Sequence, residues 1–372
     1  MAVHTLTARR TWLTPVLLIL GLAAALPAIY LTSTADPQGH LSGLPVALVV
    51  EDQPSPASSA KADAVAAAIE AHASEQLAIT RVSRDDLDAA MSEDRVAGAV
   101  VVPADFGPSV SVLVNAGDGG LSGALLAANV TPLLQGISRD LGPFEVTSGP
   151  YEPLPDHAGF GMSAFYYALV LVLLGFIGAS LVGPLVDSAL GFLPSELGPL
   201  VERRPYTAVS RRTTFLAKAE MLAGTAPFAA LVLQLVAGLA GVSVDSPVTL
   251  WAYSTAVIAA IGTSALAVLA IFGPGVGSLV NTLFFVAASM VSSGGTVPLE
   301  ATPRAFDWFS AIAPFRHVVD GTRALFYFDG NLSAGLGSAW ITVLAGGLAG
   351  LALGALVTSA YARVPAFSRH PR

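Results

Sequence analysis

Apolar residues along this chain are arranged in two ways. Six stretches stay apolar for roughly the 20 residues a helix needs to cross about 30 Å of hydrocarbon. They are residues 12–31, 162–185, 221–242, 250–271, 278–291 with its flanks, and 339–360. Each predicts a transmembrane helix. The fifth begins among Gly273, Pro274, Gly275 and Gly277, which predicts a bent or re-entrant start, tolerated in a membrane only where protein or water covers the freed backbone. The first follows Arg9 and Arg10 and runs about 18 residues, longer than the h-region of a signal peptide. It is expected to stay as an uncleaved anchor.

Between the first and second stretches the pattern changes. Residues 45–50 (PVALVV), 77–82, 96–102 (VAGAVVV) and 110–115 read as strands, and residues 58–76, 85–93 and 123–141 as helices. The first helix is introduced by Ser58 and Ser59, the second by Ser83 or Asp85. This alternation predicts an α/β sheet domain over residues 34–160. Apolar runs without polar alternation, such as AVVV, predict strands covered on both faces.

One further segment fits neither arrangement. Residues 292–330 (SSGGTVPLEATPRAFDWFSAIAPFRHVVDGTRALFYFDG) mix prolines, arginines and aromatic residues around Trp308. Short amphipathic pieces that turn back at a membrane surface have this composition. Gly294, Gly295 and Pro298 are expected to reverse the chain, Phe306, Trp308 and Phe309 to anchor at the interface, and Arg316 and Asp320 to pair at four-residue spacing.

Composition strengthens the membrane reading: 53% of residues are hydrophobic and only 12% charged, against about 25% charged in soluble domains. Charge then sets orientation. Residues 34–157 hold 17 acidic and 5 basic residues, a net −12, which leaves +4 for the rest of a chain whose total is −8. With the N-terminus inside, the inner face receives Arg9, Arg10, Arg203, Arg204, Arg211, Arg212, Lys218, Arg363, Arg369 and Arg372, as the positive-inside rule asks. Both termini are then cytoplasmic, residues 34–160 and 292–330 lie outside, and residues 191–218 form the inner loop. In that loop Glu196 and Glu202 among four arginines suggest a folded docking surface more than a simple lipid patch.

Candidate chemistry is sparse. There is no GxxxxGK[ST] phosphate loop, no HExxH and no GxSxG, and the six histidines are scattered. Cysteine is absent, which excludes disulfides and thiolate ligands. No enzyme, cofactor, metal or nucleic-acid role is expected. Ion-coupled carriers keep ionisable residues within their spans; here only Asp187 and Glu220 come near, at span ends, and the amides Gln234 and Asn281 are expected to bond between helices.

Three patterns carry a resemblance to a known family. Residues 44–52 (LPVALVVED) with 88–106 (DAAMSEDRVAGAVVVPADF), then Glu196, Gly198, Arg204-Pro205, Ser210-Arg211 and Lys218, and finally the SSGGTVPLE…P…P…R…YFDG segment resemble the type-2 ABC exporter permease superfamily. The similarity is greatest to its phage-infection-protein (YhgE/Pip-like) branch of bacterial membrane proteins. The resemblance implies a six-helix polytopic permease of the bacterial plasma membrane with an extracellular α/β domain between its first two helices. It implies a dimer, either homo- or heterodimeric, moving a hydrophobic or amphipathic substrate outward. A separate nucleotide-binding subunit would dock through Glu196, Arg203, Arg204, Arg211 and Arg212. Gly294, Gly295, Pro298, Glu300, Trp308, Arg316, Asp320 and Arg323 would form an outer re-entrant gate. The other reading is a non-transporting scaffold or surface protein whose external domain binds an envelope partner or phage.

Overall fold

The computed structural model describes residues 9–73, 75–104, 109–191, 207–242 and 244–364. A first helix, α1 (Arg9–Thr34), leads into a five-stranded sheet of β1 (Leu44–Val50), β2 (Leu77–Arg81), β3 (Gly98–Val102), β4 (Ser109–Val114) and β5 (Glu145–Pro150). The order is β2-β1-β3-β4-β5. β1 lies parallel to both β2 and β3, β3 runs antiparallel to β4, and β4 runs parallel to β5.

Alternation along the strands explains the layering. Val46, Leu48, Val100 and Val112 face a core shared with helices α2 (Pro56–His72) and α4 (Gly120–Leu141). The intervening Ala47, Val49, Ala99 and Val101 face α3 (Arg84–Ser92) through Leu87 and Met91. Every residue of β3 is buried, as its unalternating apolar run requires. The expected strands and helices are present with shifted ends. α2 starts two residues before Ser58: Ser55 caps it by accepting from the Ser58 amide, and Pro56 occupies the first turn, where its missing N–H costs nothing. α3 is capped by Ser83, which accepts from the Asp86 amide at 3.1 Å. β5 was not anticipated; its sequence, EVTSGP, is mostly exposed and lacks an apolar rhythm.

After the sheet domain come α5 (Met162–Ala189), α6 (Arg211–Leu239), α7 (Pro247–Val291), two short helices α8 (Arg304–Ser310) and α9 (Pro314–Tyr327), and α10 (Leu332–Tyr361). Among the described residues five helices are long and apolar enough to cross a membrane: α4, α5, α6, α7 and α10; the described part of α1 is a shorter apolar helix. Of these, α4 buries Leu125, Leu126, Val130 and Leu134 against the sheet. Its apolar face therefore belongs to the domain core.

α7 doubles back on itself. Gly273, at φ 78° and ψ 172°, breaks the helix, and Asn281 Nδ2 donates to the Ala265 carbonyl at 3.0 Å across the turn. A Cβ on Gly277 would sit 3.0 Å from Leu269 Cα, so the two arms pack backbone to backbone. The glycine-proline cluster, expected to make a bent or re-entrant start, is a reversal. Gln234 likewise bonds another helix, donating to the Pro247 carbonyl at 2.9 Å. Close crossings use small residues: a Cβ on Gly175 would meet the Ile258 carbonyl at 2.9 Å, and one on Gly350 the Ser264 Oγ at 2.6 Å.

α9 is wedged into the end of this bundle nearest the sheet. Phe315, Val318 and Val319 are fully buried, Phe315 packs on Phe165, and Phe326 packs on Tyr167. Tyr253, also fully buried, donates to the Val318 carbonyl at 3.1 Å. The sheet domain and the bundle have separate cores, so a cavity in one should not propagate to the other. Leu126→Ala is expected to destabilise the sheet domain by about 2–5 kcal/mol. Native-state hydrogen exchange should show faster exchange at β1 and β3 while α5 and α7 stay protected.

Candidate functional site

The two bodies meet along the 292–330 segment, which contributes to both. Val297 and Ala301 are buried in the sheet-domain core, and the Glu300 carbonyl accepts from the Ser42 amide at 2.8 Å. Phe328 covers Gly117, where a Cβ would meet its ring at 2.5 Å. Beyond the segment's end, Asn331 Nδ2 donates to the Ser92 carbonyl at 3.2 Å. The Tyr327 hydroxyl accepts from the Ala164 amide and donates to the Ala158 carbonyl, tying α9 to the start of α5.

At this seam lies a cavity of about 320 Å³. Its charged lining is Glu93, Asp94, Asp118, Glu300 and Asp320 on the acidic side, and Arg95, Arg316 and Arg323 on the basic side. Arg323 is the deepest: its side chain is 5% exposed. Nη1 faces Asp118 Oδ1 at 3.4 Å, and Nη2 donates to the Gly294 carbonyl at 3.3 Å. Its Nε finds no hydrogen-bond partner among the described residues. Arg316 Nε stands 3.8 Å from Asp320 Oδ2, while its Nη1 donates to Ser310 Oγ at 2.9 Å.

Local backbone geometry makes room for this cluster. Gly119 sits at φ 109°, and a Cβ there would come 2.8 Å from Arg323 Nη2. Gly335, at φ 103°, lies against Asp320, whose Cβ a side chain would meet at 2.7 Å. Asp94 holds φ 53° at the end of α3, a left-handed conformation that Asp tolerates better than most residues. Its carboxylate accepts from Asn115 Nδ2 at 3.0 Å.

Burial in this seam raises the carboxyl pKa values. Asp94 is pushed well above the ordinary range, first by desolvation and then by Asp118, against the opposing effects of Arg323 and the Asn115 hydrogen bond. Asp118 is raised by desolvation, with Arg323 and Ser122 opposing. Asp320 is pushed up to about 6 by desolvation, although Arg323 and Arg316 pull it down. Glu300 is raised for the same leading reason.

Of the residues expected to form an outer gate, Gly294, Pro298, Glu300, Arg316, Asp320 and Arg323 meet in this cavity. Gly295 lies beside it, where a Cβ would strike the Phe165 ring at 2.2 Å. Trp308 is separate, 75% exposed on α8. Phe309 of the same helix packs edge-on against Phe284 and so belongs to the bundle. The sequence reading missed Asp94, Asn115 and Asp118. Asp118 is 205 residues from its arginine, and the glycines of the AGDGG turn, of which Gly119 takes a positive φ, are the one local signal there.

A second cavity, of about 400 Å³, lies at the far end of the bundle, lined by Asp187, Arg211, Phe215, Lys218, Leu266 and Gly273 among others. Lys218 Nζ lies 2.8 Å from Asp187 Oδ2. At 1.5 Å per residue the 28 residues of α5 separate the two ends by about 42 Å. Glu196, Arg203 and Arg204 lie outside the described residues. Arg211 and Arg212 are not in a loop as expected: they open α6, with Ser210 capping the helix by accepting from the Thr213 amide at 3.0 Å. The described residues include no group of His, Asp or Glu side chains placed to hold a metal ion.

Removing the Arg323 guanidinium would leave buried acids without their counter-charge. Arg323→Ala is expected to lower stability by about 3–5 kcal/mol. The Arg323→Ala/Asp118→Ala pair should recover part of that loss, read as thermal unfolding of the purified full chain.

A family model described as ABC-2 family transporter protein matches residues 9–360. Comparison with curated proteins and with solved structures gives no match.

Proposed function

Because this chain belongs to the ABC-2 family of transporter proteins, we propose that it is the membrane permease subunit of an ABC-type exporter, moving a hydrophobic or amphipathic substrate outward. The family assignment, spanning the bundle and the sheet domain together, carries this reading. As a member it is a non-catalytic permease component. The sequence contains no phosphate loop, so work on a substrate requires a separate cytoplasmic ATPase subunit.

In this reading six helices span the bacterial plasma membrane: α1, α5, α6, the two arms of α7, and α10. The lengths and apolar composition of α5, α6, α7 and α10 and the reversal at Gly273 support five of these, and the shorter apolar α1 is the sixth. The sheet domain and the 292–330 segment are extracellular, and both termini are cytoplasmic, an orientation supported by the clustering of Arg203 and Arg204 between α5 and α6 with Arg211, Arg212 and Lys218 in the first turns of α6. The ATPase docks on residues 191–218. The cavity around Asp187 and Lys218, where this loop leaves and rejoins the bundle, is the first place a docking force reaches the helices. Force applied at Arg211 acts directly on α6, because that residue is part of the helix. The seam around Arg323 is the outer gate, and two permease chains complete the translocation path. A place in the phage-infection-protein branch rests on the resemblance of LPVALVVED, which forms β1 and its exit.

Gentle purification of the tagged full chain tests this. An ATPase subunit should co-purify, and the Arg211→Glu/Arg212→Glu double variant should reduce its recovery at least tenfold while leaving the permease folded. A permease that purifies alone and stays functional with both substitutions would overturn the docking reading.

A further inference from the structure

The seam cavity holds more negative charge than its cations can neutralise. Five carboxylates and three guanidinium groups line it. Two of the cations are engaged at its margins: Arg95 Nε lies 2.8 Å from Glu93 Oε2, and Arg316 is shared between Ser310 and Asp320. That leaves Arg323 for Asp94 and Asp118, with Asp320 shared between it and Arg316. Its grip is loose. Its separation from Asp118, 3.4 Å, and that of Arg316 from Asp320, 3.8 Å, both exceed the 2.7–2.9 Å of a charge-assisted hydrogen bond. Nε of the same buried guanidinium is unpartnered. Three ionised carboxylates served by Arg323 and a share of Arg316 would leave net negative charge buried in the seam; carboxyls carrying protons can lie close without that cost. Asp94 reaches this place through a left-handed backbone, a conformation that persists only where the surroundings enforce it.

We propose that the seam is a proton-operated latch. Asp94 and Asp118 of the sheet domain and Asp320 of α9 hold the two bodies together around Arg323 while protons are shared among them. The seam loosens when all three are ionised. The charged groups facing this trio from every packed element are Glu93 and Arg95 beside α3, Glu300 from the turn after Pro298, and Arg316 and Arg323 from α9. Tyr253 faces Asp320 and Tyr327 faces Arg323; Arg95 pairs with Glu93 and Arg316 reaches only Asp320, so the three acids still outnumber the cations that serve them.

The direction of the effect follows from linkage. A carboxyl whose pKa is higher in the closed seam binds more protons there than in the open one. Closure is therefore favoured below the ordinary Asp value of about 3.9 and weakens as pH rises through about 6, the value reached by Asp320. Each proton released changes the closed-to-open ratio by up to about tenfold per pH unit.

The absence of native cysteine permits a direct test. Ser92→Cys and Ser333→Cys, both exposed and on opposite sides of the seam, are spin-labelled in the full chain in lipid nanodiscs, and dipolar broadening is followed from about pH 5 to about pH 8. The labels should be close at the acid end, and the separated population should grow several-fold through about pH 6. Asp94→Asn/Asp320→Asn, which keeps the hydrogen-bonding shape without the charge, should hold the labels close at every pH. A pH-independent wild-type spectrum would overturn the latch, as would a wild-type profile retained in the Asn variant. If the double variant does not fold by circular dichroism, Asp94→Asn alone should shift the midpoint upward, and an unmoved midpoint rejects the proposal. The reading is positional, so it stands or falls independently of whether an ATPase docks at the far end.

Discussion

A guanidinium removed from water must be met by charge or by oriented dipoles, or the structure around it is lost. Arg323 imposes that demand on this protein. It is buried at the end of a helical bundle whose neighbouring side chains are mostly apolar, and α9 itself supplies only Asp320 nearby. The remaining compensation comes from Asp118, in the sheet domain, and from the Gly294 carbonyl. Two bodies with separate cores are joined because one of them carries a cation that it cannot neutralise alone.

The joint is more than electrostatic. The 292–330 segment belongs to both cores: Val297 and Ala301 complete the sheet domain, while Phe315, Val318 and Val319 complete the bundle. A rigid-body movement of the domain would have to pull the former from a packed interior or carry the latter along. Displacement at the seam is therefore coupled to α9, and α9 touches Tyr253 of α7 and Tyr167 of α5. This is a continuous path of packed side chains into the helices. At the other end of α5, the Asp187–Lys218 pair bridges α5 and α6. The proposed export role needs the two ends to communicate across roughly the thickness of a bilayer, and the helices that connect them here are close-packed over small residues.

Much of this architecture could be read from residue order. Five of the six apolar stretches fall in α5, α6, α7 and α10, helices long and apolar enough to cross a membrane, and the runs PVALVV and VAGAVVV identified β1 and β3 as covered strands. α4 shows the limit of that kind of reading: by length and composition it could span a membrane, but its place directly after the run of strand signals assigned it to the sheet domain, where it packs. β5 was illegible because an exposed edge strand of Glu, Thr, Ser and Gly needs no apolar rhythm; β4 holds it in place. The start of α6 was misjudged because Arg211 and Arg212 are polar, and hydropathy registers where a helix enters lipid rather than where its hydrogen bonding begins.

The sequence by itself determined which segments are apolar enough for lipid, where glycine and proline reverse the chain, and that the 292–330 segment is amphipathic. These are local properties, set by side-chain chemistry and by the short periods of helix and strand. Only the tertiary structure decided that Arg323 would face Asp118, that Asp94 would join them through a left-handed turn, and that Gly119 and Gly335 would leave the space they occupy. Charge pairing has no period along a chain. Which acid meets a buried arginine depends on how two separately folded cores dock, and that docking is set by shape and burial over more than 200 intervening residues.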